Sequence, residues 1–147
     1  YVVNAPEFSF IHFATHSRID PMVASNTKLY LTPNKDNDGA LDLNEIRKTP
    51  INADLVTLSA CDTGFGIGYG EDLDGLVRSF FIAGTKSVLA SSWVIDDEST
   101  GYLMTEFYKY LRWNNKAEAL RLAQKNTRNK YPAPYHWAGF MLYGEQN

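Results

Sequence analysis

Three apolar runs with little alternation most restrict the fold that this chain can adopt. They are "FSFIHFA" (8–14), "ADLVTLSA" (53–60) and "KSVLASSW" (86–93). A strand that is apolar at successive positions is buried on both faces, which is typical of a parallel sheet covered by helices. We therefore expect parallel strands at these three places and a central position in the sheet for the first of them.

Helical patterns follow the second and third of these runs. One apolar stripe at the spacing of a helix face consists of Leu73, Leu76, Val77, Phe80 and Phe81. Gly84 is a suitable stop for that helix. Further helices are predicted over 96–113 and from Asn115, where Glu118 completes a capping box, to about residue 128. Strands that alternate with helices predict one α/β domain over 1–147, with a mostly parallel sheet flanked by helices.

Shorter segments complete the predicted fold. "KLYLTP" (28–33) predicts a short strand that ends at Pro33, and the Asp38-Gly39 pair predicts a hairpin turn into the alternating stretch that follows. "YPAPY" (131–135) is predicted as a loop and "WAGFMLYG" (137–144) as the last strand.

Composition excludes several classes of function. A formal net charge of −3 argues against a nucleic-acid-binding surface, and no run of 18 apolar residues is present to span a membrane. The single cysteine cannot form an internal disulfide, which fits a reducing compartment, and we expect the cytoplasm. The chain lacks an initiator Met, so we expect it to be a piece of a longer polypeptide.

Two of the buried strands end in residues that together can perform nucleophilic chemistry. "HFATHS" ends in His16 and "LSACDTG" carries Cys61. Carboxyl ends of neighbouring parallel strands meet at one edge of a sheet, where sites form. An imidazole there can take the thiol proton and return it to a leaving amine. The backbone N–H groups of Ser17 and Cys61 are the predicted donors to an oxyanion.

Structural roles compete with this interpretation. A lone cysteine is most often a small buried hydrophobe, and His16 alone is typical of a polar loop. His12 is interpreted as a core histidine with a hydrogen-bond partner, and His136 as a ring packed in an aromatic loop. A zinc site from His12, His16 and Cys61 would lack any standard ligand spacing. No metal and no cofactor is therefore predicted.

The segment "NKDNDGALDLNE" (34–45) matches the pattern of an EF-hand loop closely. The residues at positions one, three, five, six and twelve are Asn34, Asp36, Asp38, Gly39 and Glu45. An EF-hand needs an entering helix, whereas the preceding segment is strand-like and ends at Pro33. We expect a hairpin here rather than a calcium site.

Acidic residues border the predicted site. Asp62, Glu71 and Asp97 are placed to wall a peptide groove, and their charge would suit a basic P1 side chain. Alternatively, Glu71 favours the positive end of the helix that follows, and Asp97 caps its own helix.

Six blocks in order resemble the signature blocks of the CHAT peptidase family. They are "HFATHS", "DGALDLNEI", "ADLVTLSACDTGFG" with its continuation to "DDEST", "FYKYL", "AEALRLAQ" and "YHWAGFMLYG". This family is a caspase-like group related to separases and often fused to tetratricopeptide repeats. The resemblance implies a caspase-like α/β sandwich and thiol-dependent cleavage of peptide bonds by a dyad of His16 and Cys61.

The resemblance also carries two differences. Family members commonly have Gly directly after the catalytic His, and Ser17 stands there in this chain. The leading sheet strands of the family's amino-terminal part are missing, so this chain is expected to be the carboxy-terminal catalytic part of a longer polypeptide.

Two functions follow as hypotheses. One is a cysteine endopeptidase that cleaves specific protein targets after activation by a partner or by an upstream tetratricopeptide region. We expect the glycine-rich loop 63–70 to become ordered only on that activation. The alternative is an inactive peptidase-like scaffold that binds a peptide or protein partner in the same groove.

Overall fold

In this computed structural model, the structure describes residues 7–18, 20, 26–59 and 69–147, the last range with side chains from residue 73. Cys61, Asp62 and the glycine loop up to residue 68 lie outside these ranges, as does the side chain of Glu71. The predictions made for them remain predictions.

The described residues form strands, four helices and one 3-10 turn at Pro134–His136. The strands are β1 (Phe10–Phe13), β2 (Ser17–Arg18), β3 (Lys28–Tyr30), β4 (Ala40–Asp42), β5 (Leu55–Leu58), β6 (Ser87–Ser91) and β7 (Phe140–Gly144). The helices are α1 (Leu43–Lys48), α2 (Tyr69–Ile82), α3 (Asp97–Leu111) and α4 (Lys116–Lys130). Within these ranges, each helix is too short or too polar to cross a lipid bilayer.

The main sheet has the order β1-β5-β6-β7. β1, β5 and β6 are parallel to one another, and β7 runs antiparallel to β6. The prediction of a mostly parallel sheet flanked by helices is confirmed. A second sheet, β2-β3-β4, is antiparallel and contains the predicted hairpin.

The predicted position of the first strand is wrong in the described part of the chain. β1 lies at an edge of the sheet rather than in its centre. Phe10 in this strand is 53% exposed and Phe8 just before it is 55% exposed. An aromatic run predicts burial, but β1 is an edge strand of the described sheet and its Phe10 ring is largely exposed.

The continuous apolar runs of β5 and β6 arise because helices cover both faces of the sheet. Val56 and Leu58 pack in one core cluster with residues of α2, including Phe80. Leu55 and Leu89 pack in the other cluster with residues of α3, including Phe107. Since successive side chains of a strand point to opposite faces, every position of β5 meets a helix layer.

Local signals place the helix ends, with two corrections. α2 is followed by Gly84 with a φ of 99°, as predicted, but it begins at Tyr69, so the last two residues of the predicted loop 63–70 are helical. The N-cap of α3 is Asp96, whose carboxylate accepts the amide of Ser99. Asp97, which was predicted to cap, is instead the first helical residue.

The EF-hand-like segment forms a hairpin and a capped helix. Gly39 has a φ of 80°, and a Cβ there would lie 2.6 Å from the carbonyl oxygen of Leu31. The Glu45 carboxylate accepts the amide of Asp42, while the Asp42 carboxylate accepts the amide of Glu45 at 2.9 Å. The entering element is strand β3, as the hairpin prediction required.

Calcium is therefore expected to leave the melting temperature of the protein nearly unchanged. A ligand raises Tm only when it binds the folded state, and Glu45 is already engaged in the capping box of α1. The measurement is a thermal melt with and without millimolar calcium, with Glu45→Gln as the control. A large rise in the parent that is absent in Glu45→Gln would contradict the hairpin assignment.

Candidate active site

A cleft of about 720 Å³ opens at the carboxyl ends of β1, β5 and β6. Its lining comes from the segments after these strands, from the start of α3 and from Phe140. Polar groups at its rim include His12, His16, Ser59 and Asp97. In a parallel sheet the carboxyl edge is where the chain turns away and leaves room for a ligand, so the position of this cleft agrees with the edge predicted from sequence.

His16 lies on this cleft. β1 pairs with β5 so that Phe13 is the register partner of Leu58, and the amide of Ser59 donates to the Phe13 carbonyl at 3.2 Å. His16 follows Phe13 by three residues, and Cys61 follows Leu58 by three residues. The prediction that the two strands are adjacent and parallel is confirmed, while the position of Cys61 lies outside the described residues.

Ser17 begins β2 and is buried. The His16 carbonyl accepts the Tyr30 amide at 2.9 Å, and Ser17 is the register partner of Leu29. Bonded and non-bonded pairs alternate along an antiparallel ladder. The Ser17 amide is therefore directed to the side of the strand opposite β3.

Asp97 is the predicted acidic residue that the structure places in the cleft. Its neighbours in the lining include Trp93, Met104 and Phe140, so a carboxylate stands beside an apolar wall. Asp62 and Glu71 cannot be compared, because their side chains fall outside the described ranges.

His12 lines the cleft and does not lie in the core, so the core position predicted for it is wrong. Its ring is bonded, as predicted: Nε2 lies 2.7 Å from the hydroxyl of Ser59. The ring also packs against Tyr108 at a centroid distance of 5.6 Å, and partial burial lowers the pKa of His12. Burial raises the pKa of Tyr108, whose hydroxyl donates to Thr57 at 2.9 Å.

The wall of the cleft formed by residues 93–97 is fastened to the 3-10 turn. The Trp93 indole donates to the Tyr135 carbonyl at 2.9 Å, and Nδ1 of His136 lies 2.6 Å from Asp96. The His136 ring also packs against Tyr131 and Tyr135, which confirms the packing role predicted for it. Sequence reasoning missed the bond to Asp96, since the two residues are 40 positions apart.

The stability of the protein should depend on Asp96 at acidic pH. Hydrogen bonds from the Ser99 hydroxyl and amide, with a smaller contribution from His136, lower the pKa of Asp96 to about 2. The pKa of Asp96 is lower in the folded state than in the unfolded state. This stabilisation is therefore complete at pH values above the ordinary aspartate pKa of about 4, and it is lost as the pH falls towards 2. Urea unfolding from pH 2 to 6 measures it.

Asp96→Asn is the control for this prediction, because its amide does not titrate. The difference in unfolding free energy between parent and Asp96→Asn should be constant above pH 5 and shrink below pH 4. A difference that stays constant down to pH 2 would contradict the assignment.

Within 7–18, 20, 26–59 and 69–147, no group of three or more His, Cys, Asp or Glu side chains is arranged to hold a metal ion.

A mostly parallel sheet flanked by helices, with a histidine-bearing cleft at its carboxyl edge, is consistent with a caspase-like α/β fold. A family model of the CHAT domain matches residues 2–145, and the chain belongs to this family. A search of curated proteins found no match.

Proposed function

We propose that this domain is a cysteine endopeptidase in which His16 and Cys61 form the catalytic dyad. The observation that carries the proposal is the pairing of β1 with β5. Phe13 is the register partner of Leu58, and His16 and Cys61 each lie three residues further along the chain. Equal spacing beyond the ends of two adjacent parallel strands favours a short distance between the imidazole and the thiol. His16 also lines the cleft that a peptide would enter.

The proposed reaction proceeds through a covalent intermediate. His16 takes the proton of the Cys61 thiol, and the thiolate attacks the carbonyl carbon of the scissile peptide bond. The tetrahedral intermediate collapses to a thioester as His16 gives the proton to the leaving amine. His16 then takes a proton from water, whose oxygen attacks the thioester, and the acid product leaves as the thiol is restored.

The negative oxygen of the intermediate needs N–H donors, which we assign to the amides of Ser17 and Cys61. The position of Ser17 directly after His16, which lines the cleft, supports this role. Ser17 stands where the family commonly has glycine, and this difference is what favours the alternative of an inactive scaffold that binds peptides.

We further propose that the cleft takes a basic P1 side chain. Asp97 supplies a carboxylate, and Trp93, Met104 and Phe140 supply an apolar surface for the aliphatic stem of arginine or lysine. Asp62 and Glu71 are proposed to add to the negative charge of the same rim.

Cleavage of a proteome-derived peptide library tests the proposal. New termini are identified by mass spectrometry, with Cys61→Ala as the matched inactive control. The expected result is a set of cleavages that requires Cys61 and is enriched after arginine or lysine. If no Cys61-dependent terminus forms with the activated protein while peptides still bind to the cleft, the scaffold alternative holds.

Asp97→Asn is expected to lower kcat/KM for a substrate with P1 arginine by about tenfold or more, because the variant loses a charge-assisted contact. The same substrate with P1 norleucine should change less than twofold. Equal losses on both substrates would show that Asp97 does not select the P1 charge.

We also propose that the chain is the catalytic part of a longer polypeptide, whose upstream strands pair with β1. The exposed outer side of β1 supports this, because Phe8 and Phe10 would be covered by such a strand. An activating partner or an upstream tetratricopeptide region would then raise turnover by ordering the site.

A further inference from the structure

We infer that His12 is a positioning residue that fixes the beginning of the Cys61 loop through the hydroxyl of Ser59. The inference rests on the proposed function, because it concerns how the proposed nucleophile is held. Its starting point is one contact between β1 and the exit of β5, in which Nε2 of His12 lies 2.7 Å from Oγ of Ser59. Both side chains line the cleft that contains His16.

Ser59 is the described residue that lies nearest before Cys61, two positions away. It is attached to β1 twice: its amide donates to the Phe13 carbonyl, and its hydroxyl contacts His12. His12 and Phe13 are neighbours on the strand that leads to His16. The two segments that carry the proposed dyad are thus tied to each other at the last described residue before the nucleophile.

The orientation of the His12 ring is fixed from its other side as well. The ring packs against Tyr108 of α3, and the Tyr108 hydroxyl donates to Thr57, the register partner of His12. This arrangement holds Nε2 towards Ser59. Among the described residues, Tyr108 is the titratable group that packs against the ring, and His16 and Asp97 face the same cleft.

The single cysteine of the chain makes the test independent of any substrate, because alkylation by iodoacetamide reports on Cys61 alone. His12→Phe keeps a ring beside Tyr108 but loses the bond to Ser59, and Ser59→Ala removes the other partner. Each change is expected to slow alkylation at neutral pH about tenfold, the size expected for one hydrogen bond. The midpoint of the rate against pH should move towards that of a free thiol.

Two further variants separate positioning from general damage. His12→Gln places an amide, which can donate to or accept from the Ser59 hydroxyl, near the place of Nε2, so it should recover the parent rate to within about twofold. In the double variant His12→Phe/Ser59→Ala, the rate should equal that of either single variant, because both remove the same contact. Tyr108→Phe keeps the ring that packs against His12 and loses only the hydroxyl bond to Thr57, so it should slow labelling less than His12→Phe does.

Amide hydrogen exchange of the peptide that follows Ser59 gives a readout that does not depend on the dyad. His12→Phe and Ser59→Ala should speed exchange there, and His12→Gln should not. If His16→Ala labels as fast as the parent, the proposed dyad is wrong. The exchange measurement would still test whether His12 holds the segment after Ser59. The inference would be overturned if both Ser59→Ala and His12→Phe label and exchange as the parent does. If His12→Phe does not fold, the result for Ser59→Ala is used by itself.

Discussion

Replacing His16 by alanine is expected to lower the rate of peptide hydrolysis by about a thousandfold, and Cys61→Ala should abolish it. In the proposed mechanism, His16→Ala leaves the thiol without a base and the leaving amine without an acid. His16 is exposed at the end of β1, so the fold should persist in the variant. The loss of rate is measured by single-turnover hydrolysis of a peptide that the library experiment identified as a substrate.

The double variant His16→Ala/Cys61→Ala should be no slower than Cys61→Ala alone, because residues that act as one unit are not additive. A thermal melt of each variant checks that the fold is kept. Turnover in His16→Ala within tenfold of the parent would remove His16 from the reaction.

The second large effect concerns the core beneath the site. Phe80 of α2 is fully buried, and its ring lies 5.7 Å from the ring of Phe13, the last residue of β1. Phe80→Ala is expected to lower the free energy of unfolding by about 3–5 kcal/mol, since it removes apolar burial and leaves a cavity. Urea unfolding measures the change.

The matched control is Ile82→Ala in the same helix, where the side chain is 55% exposed. Its effect should stay within about 0.5 kcal/mol. Similar losses for both variants would mean that α2 does not pack on β1 through Phe80.

The buried strands and the capped helices could be predicted because their signals are local. β5 and β6 are buried at every position, because helices cover both faces of the sheet. The N-cap of α4 at Asn115 was predicted, although the Glu118 carboxylate accepts from Arg121 and does not complete the predicted capping box. Asp96 and Asp97 are both suitable N-cap residues by type, so the sequence did not distinguish them. The backbone of Asp96 is extended, with a φ of −65° and a ψ of 150°, and Asp96 therefore caps α3 in place of Asp97.

Features that depend on distant parts of the chain could not be predicted in this way. Burial of an aromatic side chain depends on what packs over that face of the sheet, so the composition of β1 did not reveal its edge position among the described strands. His12 and Ser59 are 47 positions apart, and their contact arises from the parallel pairing of β1 with β5. The sequence thus indicated candidate residues for the chemistry, whereas the contacts around them required the tertiary structure.

The most direct test of the His16–Cys61 dyad is the rate of Cys61 alkylation against pH, measured in the parent and in His16→Ala. The dyad predicts a parent midpoint below that of a free thiol, because an adjacent imidazolium stabilises the thiolate. In His16→Ala the midpoint should rise to the free-thiol value, and labelling at neutral pH should slow. Two profiles that coincide would contradict the dyad and with it the proposed peptidase.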